Sequence, residues 1–146
     1  MKTRHLHSTI GVIVASALLG LAQHAQAAGE CTLANVAGDY GYTTNGTVVT
    51  PPVGPFTALG HVTLTSSGTF TGAQTTTVAG NFFDETVSGD YAVNLDCTGE
   101  ATVFVYRGGT LARTSRIALI WDDNRKEFRS IFLTPGTNIT ISGRRM

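Results

Sequence analysis

Residues 56–65, FTALGHVTLT, change character at every step. Phe56, Ala58, Gly60, Val62 and Leu64 are apolar or small, while the residues between them are mostly threonine, with His61. A period of two places one set on each face of a β-strand, one toward a core and one toward water. The same alternation groups Phe70, Gly72, Gln74, Thr76 and Val78 in TFTGAQTTTV, and Phe83, Glu85, Val87, Gly89, Tyr91, Val93 and Leu95 in FDETVSGDYAVNL. Tyr40 and Tyr42 share a face, as do Arg113, Ser115, Ile117, Leu119 and Trp121. No apolar period of 3.6 residues persists beyond two turns. Segments 101–107 and 127–134 are apolar on both faces, so alternation does not assign their inward residues.

Turn signals separate these segments: Ser66-Ser67-Gly68, Ala79-Gly80-Asn81, Asp96-Cys97-Thr98-Gly99, Gly108-Gly109, Asp122-Asp123-Asn124 and Pro135-Gly136. Threonine, the commonest residue, favours strands together with valine, isoleucine and the aromatics. Eight strands are expected, over 38–44, 56–65, 69–78, 83–95, 101–107, 112–121, 127–134 and 137–144. The connection NGTVVTPPVGP, with three prolines, is expected to form a flap or edge segment over 45–55. Short links favour an up-and-down order, and eight such strands can close first against last. The expected fold is all-β, an eight-stranded antiparallel up-and-down barrel, with a two-sheet sandwich as the alternative. Glycines 60, 72 and 89 on inward files indicate either sharp strand coiling or a ligand approaching the backbone.

The first 27 residues stand outside this pattern. Lys2 and Arg4 precede an apolar run from Ile10 to Leu21, and Ala25-Gln26-Ala27 is a small-x-small cleavage motif. That is the layout of a signal peptide, 1–27, with one barrel domain over 28–146 and a secreted or periplasmic location. The apolar run is shorter than the about 20 residues a membrane helix needs, so no span is expected after cleavage. Without the leader, eight basic residues face ten acidic ones, a net charge of −2. That balance gives no basic surface for nucleic acid. Cys31 and Cys97, the only cysteines, are expected to form a disulfide in an exported chain. Closing about 67 residues would restrict the unfolded chain by roughly 4 kcal/mol.

Beyond the leader, His61 is the only histidine, on the threonine face of its segment. A histidine-dependent nucleophile or a metal site is therefore not indicated. Asp84 and Glu85 are adjacent in a strand and point to opposite faces, which excludes them as the paired acids of a glycosidase. No phosphate-binding or dinucleotide fingerprint is present, and no cofactor is expected. What remains is a polar minority on apolar files: Gln74, Glu85 and Arg113, with Tyr40, Tyr42 and Tyr91 in the same pattern. An inward Glu85 needs a partner, which Arg113 could supply across a lumen. Glu85 is also the one candidate acid–base group. A purely structural ion pair is the competing reading. Trp121 is expected as a core or rim aromatic at a strand end.

GDYGYTTNG, SGDYAVNLDCTGE and TNITISGRR together resemble a group of small exported bacterial proteins. In that group a G-x-Y-x-[FY] opening strand precedes a G-x-Y-x-V-x-x-D-C-T-G segment and a final G-x-x-x-[KR] strand. The resemblance implies a secreted barrel. In architecture the chain is more distantly similar to allene oxide cyclase-like and lipocalin barrels. Gly38-Asp39-Tyr40 stands where lipocalins carry G-x-W, and the resemblance implies that Arg144 packs on that aromatic. Cyclase-type barrels imply a cavity that folds an apolar substrate, although none of their catalytic residues maps onto a matching motif here. The expected function is binding of a small, largely apolar molecule in the lumen, with Tyr40, Tyr42, Gln74, Glu85, Tyr91 and Arg113 around it. The alternatives are a cyclase or isomerase in the same cavity, and a non-enzymatic surface or adhesive protein with a filled core.

Overall fold

The computed structural model describes residues 29–51 and 53–146. The expected leader, its cleavage motif and the expected first residue of the mature chain lie outside the described residues. A short helix, α1 (Leu33–Val36), precedes β1 (Gly38–Val48), β2 (Gly54–Leu64), β3 (Thr69–Val78) and β4 (Asn81–Val93). The chain continues through β5 (Thr98–Arg107), β6 (Thr110–Asp122), β7 (Glu127–Phe132) and β8 (Thr137–Arg145). Each strand pairs antiparallel with its sequence neighbours, and β8 pairs back onto β1. The sheet is thus a closed up-and-down barrel, not a sandwich, although Thr110–Arg116 of β6 have no partner on β7.

The flap expected over 45–55 is shorter than its prolines suggest. Asn45–Val48 continue β1, paired to β2 on one side and β8 on the other. Closure gives these residues partners on both sides, which confines the connection to 49–53. Beyond it, Val49 N–H donates to Gly136 O at 2.8 Å, tying this loop to the β7–β8 connection. At the opposite end β4 stops at Val93, so Leu95, expected to face inward, stands exposed in a turn. In that turn Cys97 N–H donates to Asn94 O and Asn94 N–H donates to Thr98 O. Cys97 takes a left-handed φ of 67°, a conformation glycine usually fills. The Cys31–Cys97 disulfide, with Cα atoms 4.9 Å apart, joins this turn to the N-terminal segment.

Three inward glycines make room for aromatic rings, whereas Gly72 meets the backbone of His61 and Val62. Tyr42 pairs with Gly60, Phe70 with Gly89 and Phe128 with Gly143. A Cβ on Gly60 would stand 2.8 Å from Tyr42 Cζ, and one on Gly89 would stand 2.7 Å from Phe70 Cζ. Each ring lies over the bare backbone of its cross-strand partner, the arrangement by which aromatics cover sheet glycines. The space at Gly60 and Gly89 is taken by neighbouring backbone as well as by the ring: Ala73 O would lie 2.6 Å from a Cβ on Gly60, and Thr102 O closer still to one on Gly89.

One end of the barrel is plugged. Thr32 and Asn35 form a reciprocal capping box on α1, and Val36 is fully buried in the main core with Tyr40, Tyr91, Trp121 and Phe128. Arg145 clamps the plug: its Nη2 donates to Asn35 O, Ala37 O and the Tyr40 hydroxyl, at 3.1, 2.7 and 3.0 Å. Its guanidinium also lies 5.3 Å from the Tyr40 ring centroid. The arginine at Tyr40 is therefore Arg145 and not Arg144. Tyr40 pairs with Arg145 across β1 and β8, which puts both on the inner face, while Arg144 points outward to Glu127.

Candidate functional site

The register of the barrel builds a polar row around its inner wall. Tyr42 on β1 is opposite Gly60 on β2, Gly60 is opposite Gln74 on β3, and Gln74 is opposite Glu85 on β4. Because Gly60 has no side chain, Tyr42 reaches across β2 and donates its hydroxyl to Gln74 Oε1 at 2.7 Å. Gln74 Nε2 then donates to Glu85 Oε2 at 2.8 Å. From the other side come Arg107, the last residue of β5, and Arg113, near the start of β6. The row sits toward the end that carries the β3–β4 and β5–β6 turns, opposite the plug.

Glu85 is 4% exposed, and each of its oxygens accepts three hydrogen bonds. Oε2 takes Gln74, the Thr76 hydroxyl at 2.8 Å and Arg113 Nη2 at 2.8 Å. Oε1 takes Arg113 Nη1 at 2.8 Å, Arg107 Nη2 at 2.6 Å and Arg107 Nε at 3.2 Å. Burial by itself raises the carboxyl pKa, but the hydrogen bonds from Arg113, Arg107 and Gln74, with the Arg113 charge, outweigh it and hold it at about 2. A carboxylate that stays ionised and has every lone pair engaged is an anchor, not a proton shuttle. Burial pushes the Tyr42 phenol well above its ordinary range, so its hydroxyl keeps its proton.

Alongside this row the lumen holds a cavity of about 80 Å³. Its wall is largely apolar, and Tyr42, Gln74, Arg113 and Ser115 are among its few polar contributors. Toward the plug, Tyr91 and Trp121 form its base, with ring centroids 6.3 Å apart. The Tyr91 hydroxyl donates out to Thr65 O at 2.6 Å, which leaves its ring facing the cavity. Space of this size accommodates roughly five to eight water-sized groups, enough for a small organic molecule.

The six residues singled out by sequence divide into three places. Tyr42, Gln74, Glu85 and Arg113 form one connected network. Tyr91 lines the cavity away from that network. Tyr40 stands apart, its hydroxyl set among Val36 O, Arg125 O and Arg145 in the plug. Arg107 and Thr76 belong to the site as ligands of Glu85 without having been singled out. Arg107 shares a two-step file with Ala101, Val103 and Val105, but a segment apolar on both faces does not show which file points inward. Asp84 points outward to Thr75, away from Glu85, and His61 is exposed on the outer face. Among the described residues no cluster of three or more His, Cys, Asp or Glu is placed to hold a metal ion.

No protein-family model matches the chain, and no curated protein or solved structure is significantly similar to it.

Proposed function

We propose that this chain is a secreted or periplasmic β-barrel that binds a small, largely apolar molecule in its lumen. The observation that carries the reading is the apolar cavity of about 80 Å³ with a row of polar groups at the end opposite the plug. Apolar walls with a few placed polar groups are the usual make-up of small-molecule sites. The internal disulfide fits an oxidising compartment, as does the resemblance to small exported barrels. An isomerase in the same cavity has less support, because Glu85 is held ionised and fully hydrogen-bonded.

Native mass spectrometry of protein purified from its own host tests the proposal. The expected spectrum contains a retained small molecule that disappears in Val103→Phe, a substitution that fills the cavity wall. Unliganded wild-type protein, together with a Val103→Phe variant of raised stability, would instead identify a merely underfilled core and favour the adhesive or structural reading.

A further inference from the structure

At the end of the lumen opposite the plug the charges do not balance. Glu85 contributes one negative charge, and Arg107 and Arg113 contribute two permanent positive ones. The other carboxylates of β4, Asp84 and Asp90, are exposed on the outer face, so neither neutralises the surplus. The two arginines are not equivalent. Arg107 has 38% of its side chain exposed and stacks on Phe83, 3.5 Å from the ring centroid. Arg113 is more buried, lines the cavity, and sits 5.5 Å from the Phe56 ring centroid. Glu85 engages two of its five N–H groups. A surplus cation against an apolar wall is costly unless an anion meets it.

We infer that the molecule bound in the lumen carries one anionic group, a carboxylate on an apolar body, and that Arg113 receives it. This inference rests on the lumen-binding proposal and adds the chemical class of the ligand. The carboxylate neutralises the single surplus charge, and the body extends over Ile117 and Leu119 toward Trp121, which follow Arg113 along β6 on the same inner file. Glu85 offsets one of the two arginine charges and touches no ligand.

The test is a titration of the oxidised protein at about pH 7 with butanoate, hexanoate and octanoate, and with the alcohol and amine of each chain length. The fluorescence of Trp121, the only tryptophan, reports occupancy of the cavity base. At the best chain length the carboxylate should bind at least about tenfold tighter than the alcohol, and the amine should bind weakest. Arg113→Gln should remove that preference while leaving alcohol binding within about twofold of wild type. Glu85→Gln, which enlarges the surplus, should strengthen the preference. Opposite shifts in the two variants are not expected of a purely structural ion pair. The wild-type comparison decides the matter even where a variant fails to fold. Equal binding of carboxylate and alcohol overturns the inference and leaves lumen binding standing, whereas no binding by any probe overturns both.

Discussion

Lowering the pH should loosen the barrel by an amount set by Glu85. Its carboxyl is held at about 2 in the folded chain against an ordinary 4.5, so the folded state binds the proton less readily than the unfolded state. A depressed carboxyl contributes stability that is complete above pH 4.5 and is lost as pH falls toward 2. The difference corresponds to about 3 kcal/mol. With a urea slope of about 2 kcal/mol/M, the unfolding midpoint should fall by about 1.5 M across that window through Glu85 alone. The assay is urea unfolding of wild type and Glu85→Gln, both with the disulfide intact, from about pH 7 to about pH 2. Other carboxylates titrate in both proteins, so the difference between the curves isolates this group. The variant should start lower and decline less, and the two curves should converge in acid. Parallel curves at all pH values would refute the assignment of the linkage to Glu85.

Gly60→Ala should cost about 1–3 kcal/mol in urea unfolding, because its methyl group would press on Ala73 O and displace the Tyr42 ring from its bond to Gln74. No loss would mean that the ring does not depend on the bare backbone. Arg145→Met should speed hydrogen exchange in residues 33–37 and cost at least about 2 kcal/mol, whereas Arg144→Ala, on an exposed ion pair, should cost less than about 1 kcal/mol. Equal costs would contradict the assignment of the clamp to Arg145. Replacing Cys31 and Cys97 by serine should lower stability by roughly 4 kcal/mol, and reductant should then leave that variant unchanged while destabilising wild type.

Closure of the barrel was legible because alternation, short turns and a strand-like C-terminus all agreed, and each reports a local requirement of the same architecture. The Glu85–Arg113 pairing followed from the cost of leaving a carboxylate alone on an apolar file. Arg107 was harder to read. Its segment is apolar on both faces, and the register shift between Val105 and Tyr106 interrupts the ladder beside it. The choice between Arg144 and Arg145 turned on a one-residue register, which alternation forward from Ile139 and Ile141 fixes. β1 and β2 run further toward each other than their prolines suggest, because proline is a stop signal only locally. The hydrogen bonds supplied by closure against β8 are a long-range effect that no short window contains. The reasons for the inward glycines were equally distant, since Gly60 and Gly89 lie under rings of neighbouring strands and Gly72 lies against the backbone of His61 and Val62.

The polar row also allows a test of why an ionic cluster occupies this wall at all. Relative to a protonated Glu85 with the same arginines in place, the ionised cluster is strongly stabilising. Relative to an apolar wall it need not be, because taking three charges from water offsets most of their mutual attraction. Replacing Glu85 and Arg107 by leucine, Arg113 and Gln74 by methionine, Thr76 by valine and Tyr42 by phenylalanine removes the cluster together with the polar groups that depend on it. The resulting barrel should unfold within about 1 kcal/mol of wild type at about pH 7, or above it, by urea denaturation. It should also lose the acid-induced decline attributed to Glu85, and with it any preference for carboxylates over alcohols. A loss of several kcal/mol would show that the cluster holds the wall together, and its surplus charge would then need no ligand to explain it. Unchanged stability with lost carboxylate preference would leave recognition as the reason for two arginines around one glutamate.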